Sequence, residues 1–291
     1  MRRIHADFLL IGCAAIWGLA FVFQKTAMHH VGPLLFIGCR AIVAALALAP
    51  LAVLEARGKP AIVQGRLLFV SLVAGLAFFL GAAFQQAGIV TATVTNTGFL
   101  TGLYVVVVPF IAWWWHRSPP GRLVWPAVLL SFGGTWLLGG GSFAGLSRGD
   151  LLVAASALFW AGHVVVVGVA TKLERPVAFT AIQFLVVGVL GIAGALAFEQ
   201  PRLDAIRAAG PQIAYVGLLS SAVTFTLLAV AMRHTPPSEA AVLVSLETVF
   251  AAIAGAVLLG ERLPAISWVG AALILAATLI VQLGTLRPRK P

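Results

Sequence analysis

Three ionisable side chains stand deep inside long apolar runs of this sequence: Arg40, His163 and Glu247. Placing such a group at membrane depth costs about 2.5 to 3.5 kcal/mol on insertion scales, so each has either a ligand pathway or a structural partner to serve. The planar guanidinium of Arg40 suits a carboxylate, and equally a lock on backbone carbonyls. Glu247 suits an ammonium group, a coupling proton or a salt bridge to Arg40. His163, one residue after Gly162, suits a cavity wall or a hydrogen bond to a facing helix.

Neutral groups extend this set. Thr93, Asn96, Thr97, Thr101 and Tyr104 recur at helical spacing and draw a polar stripe down one apolar segment, answered further along by Ser238, Ser245 and Thr248. Such residues also serve simply as hydrogen-bonding glue between helices. The adjacent pair Gln85 and Gln86 covers two helix faces, so one of the two can reach a cavity. Trp17 and Trp160 each follow an aspartate by ten residues, which places both indoles about 15 Å into the membrane. They either pack between helices or wall a cavity that stacks on an apolar or aromatic ligand. Pro109 removes a hydrogen bond to the carbonyl of Val105 and marks a candidate gating hinge.

Catalysis is poorly served by the same inventory. HExxH, paired aspartates and a Ser-His arrangement at convincing spacing are missing, which argues against an intramembrane enzyme. A channel would favour a charged ring or a backbone filter motif. Cys13 and Cys39 fall inside apolar segments, match no metal spacing and read as small core residues; neither a metal nor a cofactor is expected.

The elements that must hold these groups are transmembrane helices. Of 291 residues 61% are hydrophobic and 10% charged, with a mean hydropathy of +1.04, far from a soluble domain. The net charge of +10 is scattered between apolar stretches and forms no patch for nucleic acid. The start of the chain resembles a signal peptide, but its apolar run continues to Phe23 and meets Gln24-Lys25, so it reads as an uncleaved first span. Ten spans are expected over 7–27, 34–54, 66–87, 91–115, 122–139, 150–171, 176–198, 210–232, 237–259 and 265–285, most of them entered at a proline. With the amino terminus cytoplasmic, thirteen basic residues fall inside and five outside, with Arg40 in a span, so both termini are expected in the cytoplasm.

A shift of 143 residues superimposes Asp7 on Asp150, Trp17 on Trp160, Phe36 on Phe179, Trp125 on Trp268 and Thr135 on Thr278. The chain therefore reads as two repeats, 1–140 and 141–291. Each has five spans, an odd number, so the second enters the membrane from the opposite side: an all-α integral membrane protein of two inverted five-helix repeats, the architecture of alternating access. Gln183 falls on Arg40 and joins the candidate site for that reason.

Trp17-Gly18, Arg40, Pro109, Trp160-Ala161, Glu247 and Gly260-Glu261-Arg262, in this order and spacing, resemble the drug/metabolite transporter superfamily, specifically its ten-span EamA family, over the whole chain. Among its members the chain looks most like YddG-type exporters of aromatic and other amino acids. The resemblance implies a multi-pass carrier of small molecules in a bacterial inner membrane. Carriers of drugs, sugars or nucleotide sugars on the same fold are the rival reading. His116-Arg117 stand where the family usually ends span 4 with a glutamate. Small-residue runs such as Gly133-Gly134 and Ala276-Ala277 make spans 5 and 10 scaffold helices, packing within a monomer or across a homodimer.

Overall fold

A computed structural model describes residues 1–57, 61–142 and 146–286. Lys59, Arg287, Arg289 and Lys290, counted above in the charge asymmetry, lie outside the described residues. Among the described residues all regular structure is helical, and nine helices are long and apolar enough to cross a membrane. They are Arg3–Ala27, Pro33–Glu55, Gly65–Ile89, Val94–Trp115, Arg148–Leu173, Pro176–Phe198, Gly210–Ala231, Pro237–Leu259 and Ala265–Leu283. A tenth apolar helix, Val124–Leu138, is shorter and takes the place of span 5.

Local chemistry sets the ends. Prolines occupy the first turns of spans 2, 7, 8 and 9, where a missing N–H leaves no bond unmade. Span 4 starts three residues later than expected because Thr93 is its N-cap, accepting from the Asn96 amide at 3.0 Å. Span 6 starts in a capping box: Asp150 N–H donates to Ser147 Oγ (3.1 Å) and Ser147 N–H donates to Asp150 Oδ2 (2.8 Å).

Each helix of one half packs on helices of the other, and the pairings correspond between the two halves. Spans 2 and 7 pack together, as do spans 5 and 10; span 1 lies on span 9 as span 6 lies on span 4, and span 1 meets span 8 as span 6 meets span 3. Three carboxylates clasp helix starts across the halves. Glu55, ending span 2, accepts the amides of Val177 (3.3 Å) and Ala178 (2.7 Å) that begin span 7. Glu199, after span 7, accepts those of Leu34 (2.8 Å) and Leu35 (2.9 Å) at the start of span 2. Glu261 takes the amides of Val94 (2.7 Å) and Thr95 (2.9 Å) at the start of span 4. A carboxylate at a helix N-terminus satisfies orphan donors and meets the positive end of the dipole.

The Gly-Glu-Arg motif thus has a mechanical reason. Gly260 adopts a left-handed φ of +69° that ends span 9 and turns the chain towards Glu261. Arg117, its repeat counterpart, holds φ of +51° without the glycine, and Ser118 stands where the carboxylate would be. Span 9 accordingly begins on Pro237, which has no N–H to clasp, and makes no side-chain cap.

Spans 5 and 10 touch backbone to backbone. A Cβ on Gly134 would lie 2.6 Å from the Gly270 carbonyl oxygen, and one on Gly270 would lie 2.4 Å from that of Gly134, whereas Gly133 faces open space. Gly134→Val should therefore destabilise the protein by about 1–3 kcal/mol or more through overpacking, and Gly133→Ala should not. Thermal unfolding in detergent measures both; equal losses would contradict the packing.

Candidate functional site

Spans 4 and 9 are both broken at mid-membrane, and the breaks are repeat-related. Val94–Thr101 and Tyr104–His116 are separated by Gly102-Leu103, while Pro237–Val244 and Glu247–Leu259 are separated by Ser245-Leu246. In both, the ladder tightens to bonds three residues back: Val105 N–H to Gly102 O (3.1 Å) and Thr248 N–H to Ser245 O (3.0 Å), each at the same place in its repeat. The two breaks lean on one another, since a Cβ on Gly102 would lie 2.5 Å from Thr248 Cγ2. Ser131 of span 5 supports the second break through Ser245 (2.9 Å). Irregular backbone at this depth is tolerated only when buried in protein or beside a cavity. Pro109, expected to hinge span 4, lies instead inside the continuous Tyr104–His116 helix. The loss of one proline hydrogen bond is absorbed there, and the break falls where glycine lets span 4 meet span 9.

The residues that begin the second half-helices, Tyr104 and Glu247, occupy equivalent repeat positions and lie beside one another. They line a cavity of about 60 Å³ together with Trp17, Arg40, Gln85, Trp160 and His163. Seven of the ten residues proposed for ligand contact from sequence thus converge. The cavity is also lined by Phe21, Gln24 and Thr101 on the side remote from the termini and by Val164, Leu228 and Val244 nearer to them. The Gln pair divides as expected: Gln85 donates to Thr101 Oγ1 (2.8 Å) in the cavity wall, and Gln86 donates to the Gln24 carbonyl (3.1 Å) behind it.

Three expected residues are elsewhere. Asn96, in the first turn of its helix, donates to Asp150 Oδ1 (3.1 Å) at the membrane edge. Thr97 turns back on its own helix and donates to the Thr93 carbonyl (2.7 Å). Gln183 is fully buried behind the wall, where its Oε1 lies 3.0 Å from His163 Nε2, so it orients the imidazole instead of touching the cavity. Helical spacing puts a stripe on one face but does not say how far that face stays open.

Aromatic rings supply what the sequence reading missed. Phe78 of span 3 packs edge-on against Trp160 (4.9 Å), His163 (5.4 Å), Phe184 (5.0 Å) and Phe225 (4.9 Å). Phe225 of span 8 meets Trp17 at 4.8 Å. A π-helical stretch, Tyr215–Val223, precedes Phe225 and shifts the register of span 8. It leaves the Ser220 carbonyl to accept from both Trp17 Nε1 (3.0 Å) and Thr224 Oγ1 (2.6 Å). Trp17 therefore packs and lines the cavity at once, while Trp160 Nε1 has no partner. The signal that would have found Phe78 and Phe225 is depth: both stand near the middle of their spans, as Trp17 does.

Arg40 is the cavity's main electrostatic feature. It is 4% exposed, forms no ion pair among the described residues, and leaves Nε without a hydrogen bond. Its guanidinium carbon lies over the rings of Phe36 (5.8 Å) and Phe78 (5.7 Å). Two such contacts return about 0.5–2 kcal/mol each, which offsets part of the charge's burial and satisfies none of its N–H groups. The internal Arg40–Glu247 salt bridge allowed by the sequence is not made. Lys25 behaves otherwise: it donates to the carbonyls of Ile89, Val90 and Ala92 at 2.8–3.0 Å and caps the end of span 3.

On the face that carries the termini, charged and polar contacts join the two halves. Arg3 pairs with Glu239, and Asp7, fully buried, accepts from Thr235 Oγ1 (2.9 Å) and lies 3.9 Å from Arg3 Nε. These contacts tie the start of span 1 to the start of span 9.

Comparison with known proteins agrees with this fold. The chain is 29% identical over 283 residues to an uncharacterised transporter of Archaeoglobus fulgidus, covering 97% of this chain and 87% of that one. It is 26% identical to the uncharacterised transporter YwfM of Bacillus subtilis (99% and 96% covered) and 27% identical to YedA, an uncharacterised inner membrane transporter of Escherichia coli (95% and 90% covered). A crystal structure superimposes over the whole of both chains with a TM-score of 0.73 at 16% identity, which shows a shared fold. The profile of the EamA-like transporter family matches residues 4–140 and again 147–283. This chain is a multi-pass membrane protein, and it belongs to the EamA-like transporter family.

Proposed function

We propose that the protein exports small metabolites by alternating access, and that amino acids, aromatic ones among them, are its substrates, as in YddG-type exporters. One observation carries this reading: a single buried cavity joins an unpaired guanidinium (Arg40), a carboxyl group (Glu247) and a cage of aromatic rings. Arg40 would take the substrate carboxylate and Glu247 its ammonium group or a coupling proton, while Trp17, Phe78, Trp160 and Phe225 face its side chain. A sugar or nucleotide sugar needs many convergent hydrogen-bonding groups, and the rings here offer few. A cationic drug would meet the guanidinium as a like charge.

In this reading residues 1–140 and 141–291 are the moving halves, with both termini in the cytoplasm of a bacterial inner membrane. The mid-membrane breaks of spans 4 and 9 are the hinges, and the Arg3–Glu239 and Asp7–Thr235 contacts are the inner gate. Uptake of labelled amino acids, sugars, nucleotide sugars and cationic drugs into proteoliposomes, with and without a pH gradient, tests substrate and coupling together. Preference for sugars or cations over all amino acids would overturn the proposal.

A further inference from the structure

A second guanidinium is buried without a partner. Arg175, between spans 6 and 7, is 2% exposed, and its Nε and Nη2 make no hydrogen bond. These two nitrogens form one edge of the guanidinium, so an entire bidentate fork stands empty. It lines a narrow recess with Thr171, Phe179, Ala229 and Arg233 at the face that carries the termini, too tight in this structure for a water molecule, so this side must open before a carboxylate enters. Arg233 also pairs with Glu174 at 3.0 Å in solvent, so the mouth of the recess holds a contact that can be exchanged.

Position ties this recess to the transport cavity. Its walls Ala170, Phe179 and Ala229 are buried in the same packed cluster as Val164, Phe225 and Leu228, which line the cavity. The recess therefore lies on the terminal side of the cavity. The repeat supports the same relation: Arg40 lies over Phe36, and Phe179, which lines the recess of Arg175, is the repeat counterpart of Phe36. Each half of the membrane thus has one buried, unpaired guanidinium beside an equivalent phenylalanine. The carboxylates beside it in sequence and at the start of span 7 are engaged elsewhere: Glu55 by the Val177 and Ala178 amides, and Glu174 by Arg233.

We propose that Arg175 is a second carboxylate-binding station, which holds the substrate's carboxylate at the terminal face before or after its stay on Arg40. The proposal rests on the carboxylate-substrate reading above and adds a site to it. A lipid phosphate would fit the same fork, but Ala170, Phe179 and Ala229 face the protein interior and not the lipid.

Right-side-out and inside-out membrane vesicles present the two faces separately, and the probes are the amino acid that the wild-type protein carries best and its uncharged-carboxyl amide. Arg175→Gln should raise the KM of the amino acid about tenfold from the terminal face and less than twofold from the other, with the amide unaffected. Arg175→Lys should fall between. Arg233→Gln, at a solvent-exposed position that folding tolerates, should raise the same terminal-face KM about threefold. An unchanged terminal-face KM, equal rises on both faces, or a loss restored by added phosphatidylglycerol overturns the station alone. A wild-type protein that moves no carboxylate overturns the substrate reading and the station with it.

Discussion

Arg40→Gln should raise the KM for a carboxylate substrate about a hundredfold while the protein melts at the same temperature or higher. Hydrogen bonds to a charged group contribute about 1.5–3 kcal/mol each, and losing a bidentate pair at roughly 3 kcal/mol corresponds to a factor of about a hundred. The stability side follows from what the guanidinium lacks. It is buried, pairs with no carboxylate among the described residues and is only partly compensated by Phe36 and Phe78, so the empty protein bears its desolvation. Glutamine removes the charge and keeps polar reach to the cavity. Binding and stability thus move in opposite directions, as expected of a group kept for its ligand. Transport kinetics in proteoliposomes and thermal unfolding in detergent measure the two; a marked fall in melting temperature would instead make Arg40 a structural lock on backbone carbonyls.

Glu247→Gln should abolish substrate accumulation driven by a pH gradient while leaving exchange of substrate across the membrane. Glu247 is 5% exposed and starts the second half-helix of span 9, so a change in its protonation acts directly on the break at Ser245-Leu246. Glutamine imitates the protonated form permanently, so the hinge still moves but no longer responds to protons. If Glu247 binds the ammonium group instead, the variant will discriminate against amino acids relative to their deaminated acids, and the pH-gradient response will survive. Accumulation identical to wild type in both assays would remove Glu247 from the mechanism. Tyr104 at the equivalent position is no carboxylate, so the first half has no counterpart of Glu247 there.

Much of the architecture was readable because membrane helices announce themselves locally. Twenty apolar residues in a row, punctuated by prolines and bases, need no tertiary contact to be recognised, and the described spans fall within a few residues of those expected. The 143-residue offset was also a property of the chain alone. It put Trp17 and Trp160 at matching depth, and both line the cavity.

The candidate site was legible only by type and depth. Arg40, His163 and Glu247 stood out because an ionisable group in lipid is costly wherever it points. Asn96, Thr97 and Gln183 shared the right types but face the membrane edge, their own helix and the back of His163. Phe78 and Phe225 were invisible among the chain's 18 phenylalanines until the helices were assembled.

What the sequence determined by itself was therefore the number of spans, the repeat and the depth of each group along its helix, because rise per residue and apolar length are local quantities. Tertiary structure alone decided how each helix is turned about its axis. A helix in lipid is apolar all round, so no solvent contrast orients it, and the rotation comes from close packing at residues such as Gly102 and Gly134. The same packing broke span 4 at Gly102-Leu103 and not at Pro109, set Glu55, Glu199 and Glu261 on the opposite half, and left Arg40 facing a cavity with no ion-pair partner among the described residues.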